Sequence, residues 1–259
     1  MQTDREQYDF ALAHLNKAYV VAKEKNQKRL LTSILLRRGW TIMARGAKWA
    51  RQHNFETAQS DFSLASSDYQ AALDFGRVSN PNFTGVITVS RGLVEARMSQ
   101  TPQDFTSAMR KLDQESTLVG KKYAEEDIHF VYTDEEQYHL DRAETYLAAP
   151  LRTVQYPGDA RRELREALAA IKPPYPKRHQ AFNLALQAQS YLLEGEYEQA
   201  LKDAKEGLML ASEVGSSRVI SRIAALYEAI EATAYGKKNS HVAMLGIELT
   251  KIRYPDIFS

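Results

Sequence analysis

Two histidines follow a glutamate by three residues, in Glu126-x-x-His129 and Glu136-x-x-His139. On a helix that spacing sets a carboxylate and an imidazole one turn apart, the unit from which carboxylate-bridged di-iron centres in helical bundles are built. Such a centre needs its units on different helices plus two further glutamates. These two lie ten residues apart with a helix start expected between them, and on one continuous helix they would sit about 80° apart in the wrong sense for a shared ion. A solvated acidic surface is the expectation instead. His14, His53, His179 and His241 lack ligand-spaced company, and no Ser-His-Asp or lysine-based nucleophile pattern can be assembled. Zero cysteines exclude disulfides, thiolate metal sites and a Cys nucleophile, and fit a reducing compartment. No enzyme, metal or cofactor is expected; a histidine–carboxylate metalloenzyme is the least favoured alternative.

Charge is the stronger signal. Lys23 to Arg51 holds nine bases, among them Lys28, Arg29, Arg37, Arg38, Arg45 and Lys48, against Glu24 alone; Glu125 to Glu144 holds eight acids against Arg142 alone. The whole chain nets only +1, so nothing global draws it to nucleic acid or an anionic membrane. Two readings of the basic run stay open. It is a surface for an acidic peptide, a carboxylate or nucleic acid, or it is a set of faces paired with neighbouring helices through acids such as Glu56, Asp61 and Asp68. Little aromatic interleaving accompanies it, which disfavours single-strand nucleic-acid binding.

The elements that position these residues are helices. The chain of 259 residues is 44% hydrophobic and 26% charged, enough to fold, and too long for one spherical core. Its longest apolar run, Leu30 to Leu36, is interrupted by Thr32 and Ser33 and falls far short of the roughly 20 residues of a membrane span. The first six residues are polar, with no signal-peptide core, so a cytoplasmic protein is expected. Proline is pushed to helix ends, and the eight prolines at 81, 102, 150, 157, 173, 174, 176 and 255 mark breaks between segments of three- and four-residue apolar spacing. Thr101-Pro102-Gln103-Asp104 reads as a helix start, Thr133-x-x-Glu136 as a capping box, and Gly215 as a left-handed stop. Helices are predicted at 4–25, 28–52, 55–76, 83–99, 102–122, 134–148, 158–171, 177–194, 197–213, 217–235 and 240–252: an all-α fold of about eleven helices with short connections.

One motif recurs along them: Tyr8/Ala11/Leu15, Phe55/Ala58/Phe62, Phe105/Ala108/Leu112 and Tyr197/Ala200/Ala204. The offsets keep each set on one stripe, where a small residue admits a neighbouring helix. Gly46 and Ala188 each lie twelve residues before the motif's alanine, and each is followed three later by an aromatic, Trp49 or Tyr191. Ile42/Gly46/Trp49/Ala58/Phe62 and Leu184/Ala188/Tyr191/Ala200/Ala204 resemble the tetratricopeptide repeat, most closely over 181–214. The aromatic marks are 47 and 50 residues apart, longer than the about 34 of the standard repeat. The stretch from Ala167-Leu168 through Pro173-Pro174 and Arg178 to Arg218-Val219 is similar to the C-terminal repeat region of bacterial helix-turn-helix regulators and STAND-type signalling ATPases.

That resemblance implies a right-handed α-α superhelix, one domain over 1–259 with units near 1–26, 27–80, 81–124, 125–176, 177–215 and 216–259. The first helix of each pair would line a groove, through Trp40, Met43, Ala47 and Arg51 in one unit and Phe182, Leu186 and Gln189 in another. The groove would hold a protein or peptide, or these residues would pack on the chain itself or a second copy. The expected role is a non-catalytic binding scaffold, the sensor or adaptor part of a bacterial signalling or transcription-regulatory system, with a structural oligomerisation scaffold as the alternative. No phosphate-binding GxxxxGK[ST] and no DNA-reading triad of helices accompanies it. Because the motif opens at Tyr8 in the second half of a hairpin, either a longer parent protein or a lone first helix is expected.

Overall fold

The computed structural model describes residues 8–52, 54–79, 81–115, 135–148, 156–171 and 175–254. Among them there is no strand. The helices are α1 Tyr8–Glu24, α2 Lys28–Arg51, α3 Phe55–Ser79, α4 Pro81–Met98, α5 Pro102–Glu115, α6 Glu135–Ala148, α7 Pro157–Ala170, α8 Lys177–Leu193, α9 Tyr197–Glu213, α10 Ser217–Glu231 and α11 Ser240–Arg253. The fold is thus an all-α helical repeat, and the prolines at 81, 102 and 157 open helices where a missing N–H costs nothing.

The chain divides into two compact units, one holding α1–α6 and the other α7–α11. In the first, α1 packs on α2, α2 on α3, α3 on α4 and α4 on α5, while α4 also meets α2 and α6. In the second, α7 packs on α8, α8 on α9, α9 on α10 and α10 on α11, with α10 also against α8 and α11 against α9. Within each unit helices pack mainly on their neighbours along the chain, with α6 meeting α2 and α4, and the pairs α2/α4, α8/α10 and α9/α11 also touch, as in a helical-repeat solenoid.

The same stop ends α1, α8 and α9. Asn26, Gly195 and Gly215 take φ of +53°, +79° and +63°. The following N–H reaches back five residues, from Gln27 to Ala22, Glu196 to Tyr191 and Ser216 to Ala211, each at 2.9 Å. This is the Schellman closure, which satisfies carbonyls a helix end leaves orphaned. Thr101 caps α5, its Oγ1 accepting from the Asp104 N–H at 3.1 Å and donating to the Asp104 carboxylate at 2.7 Å. Thr133 of the expected capping box lies outside the described residues, as does 116–122 of the expected 102–122 helix.

The largest boundary difference among the described residues is at the end of α10. The expected helix 217–235 ends at Glu231, and a 3-10 turn follows at Gly236–Lys238. Thr233 Oγ1 donates to the Ile230 carbonyl and accepts from the Gly236 N–H. That folds Gly236 onto the α10 backbone at Ile230, where a Cβ would collide.

The hairpin α2–α3 shows how the repeat is packed. Gly46 lies under the Phe62 ring and Gly39 under the Tyr69 ring, so closely that a Cβ on either glycine would strike the aromatic. Both pairs are seven residues apart on each helix, two turns, so one antiparallel register places both contacts. Phe62 and Tyr69 are buried, together with Leu35, Leu36, Ile42 and Val94, in the main core of this unit.

Candidate functional site

The residue beside each of those glycines is an arginine, and beside each aromatic is an aspartate. Arg45 forks Asp61, with Nε–Oδ2 at 2.9 Å and Nη2–Oδ1 at 2.7 Å; Arg38 forks Asp68, at 2.7 and 2.5 Å. The remaining Nη1 groups turn to α1, Arg45 to Asp9 at 2.8 Å and Arg38 to Asn16 at 3.0 Å. Both sets again sit seven residues apart, so three helices are tied by two rungs. The hydrogen-bonded carboxylates hold both guanidinium pKa values above the ordinary arginine value.

These rungs correct the basic-surface reading for Arg38 and Arg45. The two are interhelical ties whose forks are already occupied by acids of α3, the second of the two readings the charge run allowed. Glu56 is exposed in the first turn of α3 and is not the partner; Asp61 and Asp68 are. Lys28, Arg29 and Arg37 are exposed, and the Lys48 ammonium lies 5.9 Å from the centre of the Tyr8 ring. The run is therefore divided between interior ties and solvated ends.

The expected groove residues are mostly interior. Met43 and Ala47 are buried on α2, and Leu186 is fully enclosed on α8, because α3 and α9 close over them. Trp40 is half-buried, packs against the core and donates its indole N–H to Ser90 Oγ of α4 at 2.9 Å. The side chain of Arg51 lies outside the described residues. Phe182 is buried on α8 beside two arginines of α10, and half-buried Gln189 accepts a hydrogen bond from one of them.

Around Phe182 the arrangement has chemical content. Arg218 and Arg222, one turn apart on α10, bring their guanidinium carbons to 4.5 and 5.3 Å from the centre of the Phe182 ring. Arg222 is buried and donates to Gln189 Oε1 at 2.9 Å, and Gln189 lies two turns beyond Phe182 on the same stripe of α8. A third base, Arg178, stands one turn before Phe182 and donates to the Val214 carbonyl at 3.3 Å. No acid occurs in α8, and none in α10 before Glu228. Sequence reasoning passed over Arg222; the legible signal was a pair of arginines at i, i+4 beside a helix with bases and no acid.

Among the described residues no group of three histidines, aspartates or glutamates could hold a metal ion. Glu126 and His129 lie outside them, His139 packs edge-on against Tyr138, and His14 packs edge-on against Phe10. In the acidic run, Arg97 is buried and donates to Thr145 at 3.1 Å and Glu144 at 3.3 Å, while Arg142 pairs with Asp113 at 2.7 Å. The Tyr69 hydroxyl is wholly buried, and burial pushes its pKa well up. No described helix is long and apolar enough to cross a membrane.

No family model matches the chain, and no curated protein or solved structure matches it.

Proposed function

We propose that the protein is a non-catalytic scaffold that holds a protein or peptide segment against the face made by α8 and α10, serving as the sensor or adaptor part of a bacterial signalling or regulatory system in the cytoplasm. The observation that carries the binding role is the convergence of Phe182, Gln189, Arg218 and Arg222 on adjacent first helices of two hairpins. Half-exposed Arg218 and Gln189, backed by the buried Phe182 ring and Arg222, suit the fixing of polar groups of a bound segment. The regulatory setting rests on the similarity of 167–219 to the repeat regions of such regulators and on nothing else.

Ala225 is exposed and lies on the same stripe as Arg218 and Arg222, while Lys202 is exposed on α9. A photo-crosslinking residue at Ala225 is expected to capture a discrete adduct that one at Lys202 does not. The same adducts from both positions, or none from Ala225, would remove the binding role from this face.

Self-association is the second reading, favoured by exposed apolar side chains on the outermost helices of the two units. Phe10, Val20 and Val21 on α1 and Met244 and Ile247 on α11 are each about half exposed. Light scattering across a concentration series separates the readings, since a monomer at every concentration would leave only the first.

A further inference from the structure

The two rungs between α2 and α3 have counterpart positions between α8 and α9, and one of these is left incomplete. Asp203 lies six residues after Tyr197, as Asp61 lies six after Phe55, and Gln187 precedes Ala188 as Arg45 precedes Gly46. Gly207 lies against Leu184, which puts α8 and α9 in the antiparallel register of α2 and α3 to within one residue. At the second rung both partners are exchanged, Gln180 and Leu210 standing for Arg38 and Asp68. At the first only the base is exchanged, and the acid stays. Gln187 donates to Asn183 on its own helix at 3.0 Å, so it does not replace the fork. Asp203 is 5% exposed; Gln199 donates to Oδ1 at 2.8 Å, and the buried Oδ2 has no hydrogen-bond donor. A buried carboxylate oxygen without a donor destabilises the fold, and a matching donor restores what is lost.

We infer that α9 holds a basic segment of a partner protein, one arginine of which meets Asp203 as Arg45 meets Asp61. The planar guanidinium, with several donors on one edge, suits a carboxylate that already has one bond and lacks another. The way in is shown by the complete rung: the Asp61 side chain is as enclosed as Asp203, while the Arg45 side chain that reaches it is part-exposed. Gln187, half-buried and uncharged, stands at the corresponding point of entry. Glu196 at the start of α9 and Glu206 one turn past Asp203 lie on the same stripe and are exposed. From 196 to 206 the stripe runs about 15 Å, the length of four or five extended residues, which suits a chain segment with further bases better than a small guanidinium compound. The site shares no residue with the face on α8 and α10 and stands without it.

The test is selection of a random twelve-residue peptide library on the full chain, with Asp203→Asn and Gln187→Arg as variants and Glu248→Gln, an exposed acid of α11, as the control. Wild type and control are expected to enrich peptides with a clear excess of arginine. Chosen arginine peptides should bind Asp203→Asn about tenfold more weakly, as befits loss of one charge-assisted pair. Gln187→Arg supplies the base from within the chain, so it should melt a few degrees above wild type and also lose the peptides. Circular dichroism confirms that each variant is folded; if one is not, the other carries the result. A crosslinker at Lys202, beside the site, is expected to give an adduct different from the one at Ala225 and lost in Asp203→Asn. No excess of arginine, or arginine peptides that bind Asp203→Asn as tightly as wild type, would overturn the inference and leave the α8 and α10 reading as it stands. So would a Gln187→Arg protein that melts with wild type and keeps the peptides. Displacement of the peptides by agmatine at equal concentration would assign the site to a small guanidinium compound and overturn the partner segment.

Discussion

At the scale of single residues, the charges of this protein act between helices. Asp68 is buried and fills the Arg38 fork, so Asp68→Ala strands a guanidinium whose side chain is only 22% exposed. The expected loss is about 1–3 kcal/mol, the cost of leaving a partly buried polar group unmatched. Glu56→Ala, at an exposed position of the same helix, should stay within about 0.5 kcal/mol, and urea midpoints compare the two. Asp203 makes a pH argument of the opposite kind. Buried on α9, with Gln199 donating to it at 2.8 Å, it has a pKa raised above 3.8 because burial disfavours its charge. The folded state therefore holds its proton to higher pH than the unfolded state does. Wild type loses stability as pH rises from the unfolded pKa through the folded one, and the loss is constant above that. Asp203→Asn should match wild type at the acid end and be more stable at neutral pH; a difference that shrinks as pH rises would contradict this. Glu194 behaves in reverse. The Arg161 hydrogen bond lowers its pKa, so its contribution is present at neutral pH and fades as pH falls through the folded value. The runs of charge were legible in the sequence, yet their direction was not. Composition counts Arg38 and Arg45 as surface, and only the matching seven-residue steps of Arg-Gly at 38 and 45 and Asp-aromatic at 61 and 68 show that they face a second helix.

At the scale of elements, the helices were legible to within a few residues, because three local signals agreed: apolar spacing, prolines at starts, and a glycine stop at Gly215. The part that failed, the end of α10, depended on Gly236 packing on its own helix, a contact between residues six apart that no periodicity encodes. Which of the expected groove residues are enclosed was not legible, for another local reason. A helix in the middle of an array is covered on several sides, and the resemblance could not say which of Met43, Ala47 and Leu186 would be enclosed. The stops themselves are testable. Asn26 holds φ of +53° at a position chemically equivalent to Gly195 and Gly215. Asn26→Gly removes the Cβ strain and should raise the stability of the α1–α2 hairpin by a few tenths of a kcal/mol or more, against glycine's larger unfolded-state entropy. Gly215→Ala should cost about 1–2 kcal/mol, since a Cβ at φ +63° meets the backbone although nothing else lies within 4 Å. Thermal melts decide; a Gly215→Ala protein as stable as wild type would show that the turn relaxes to another closure.

At the scale of the whole molecule, the packing is that of neighbours along the chain. Within the second unit α9 touches α8, α10 and α11, and within the first α3 touches α2 and α4. Contacts of this kind make stability a sum over adjacent helices, so a perturbation weakens with distance along the array instead of acting on every element at once. Gly215→Ala, placed between α9 and α10, provides the perturbation. Hydrogen exchange in that variant should accelerate most in the last turns of α9 and the first of α10, less in α8 and α11, and least in α7. The slow amides of α2 and α3, held by the Arg38 and Arg45 rungs and the two glycine–aromatic contacts, should keep their wild-type rates. Asp68→Ala should give the complementary pattern, loosening α1 to α3 and leaving α9 protected. If either variant instead speeds every slow amide by one common factor, the chain opens as a single unit, and the face on α8 and α10 could not be loosened or tightened by a ligand independently of the rungs.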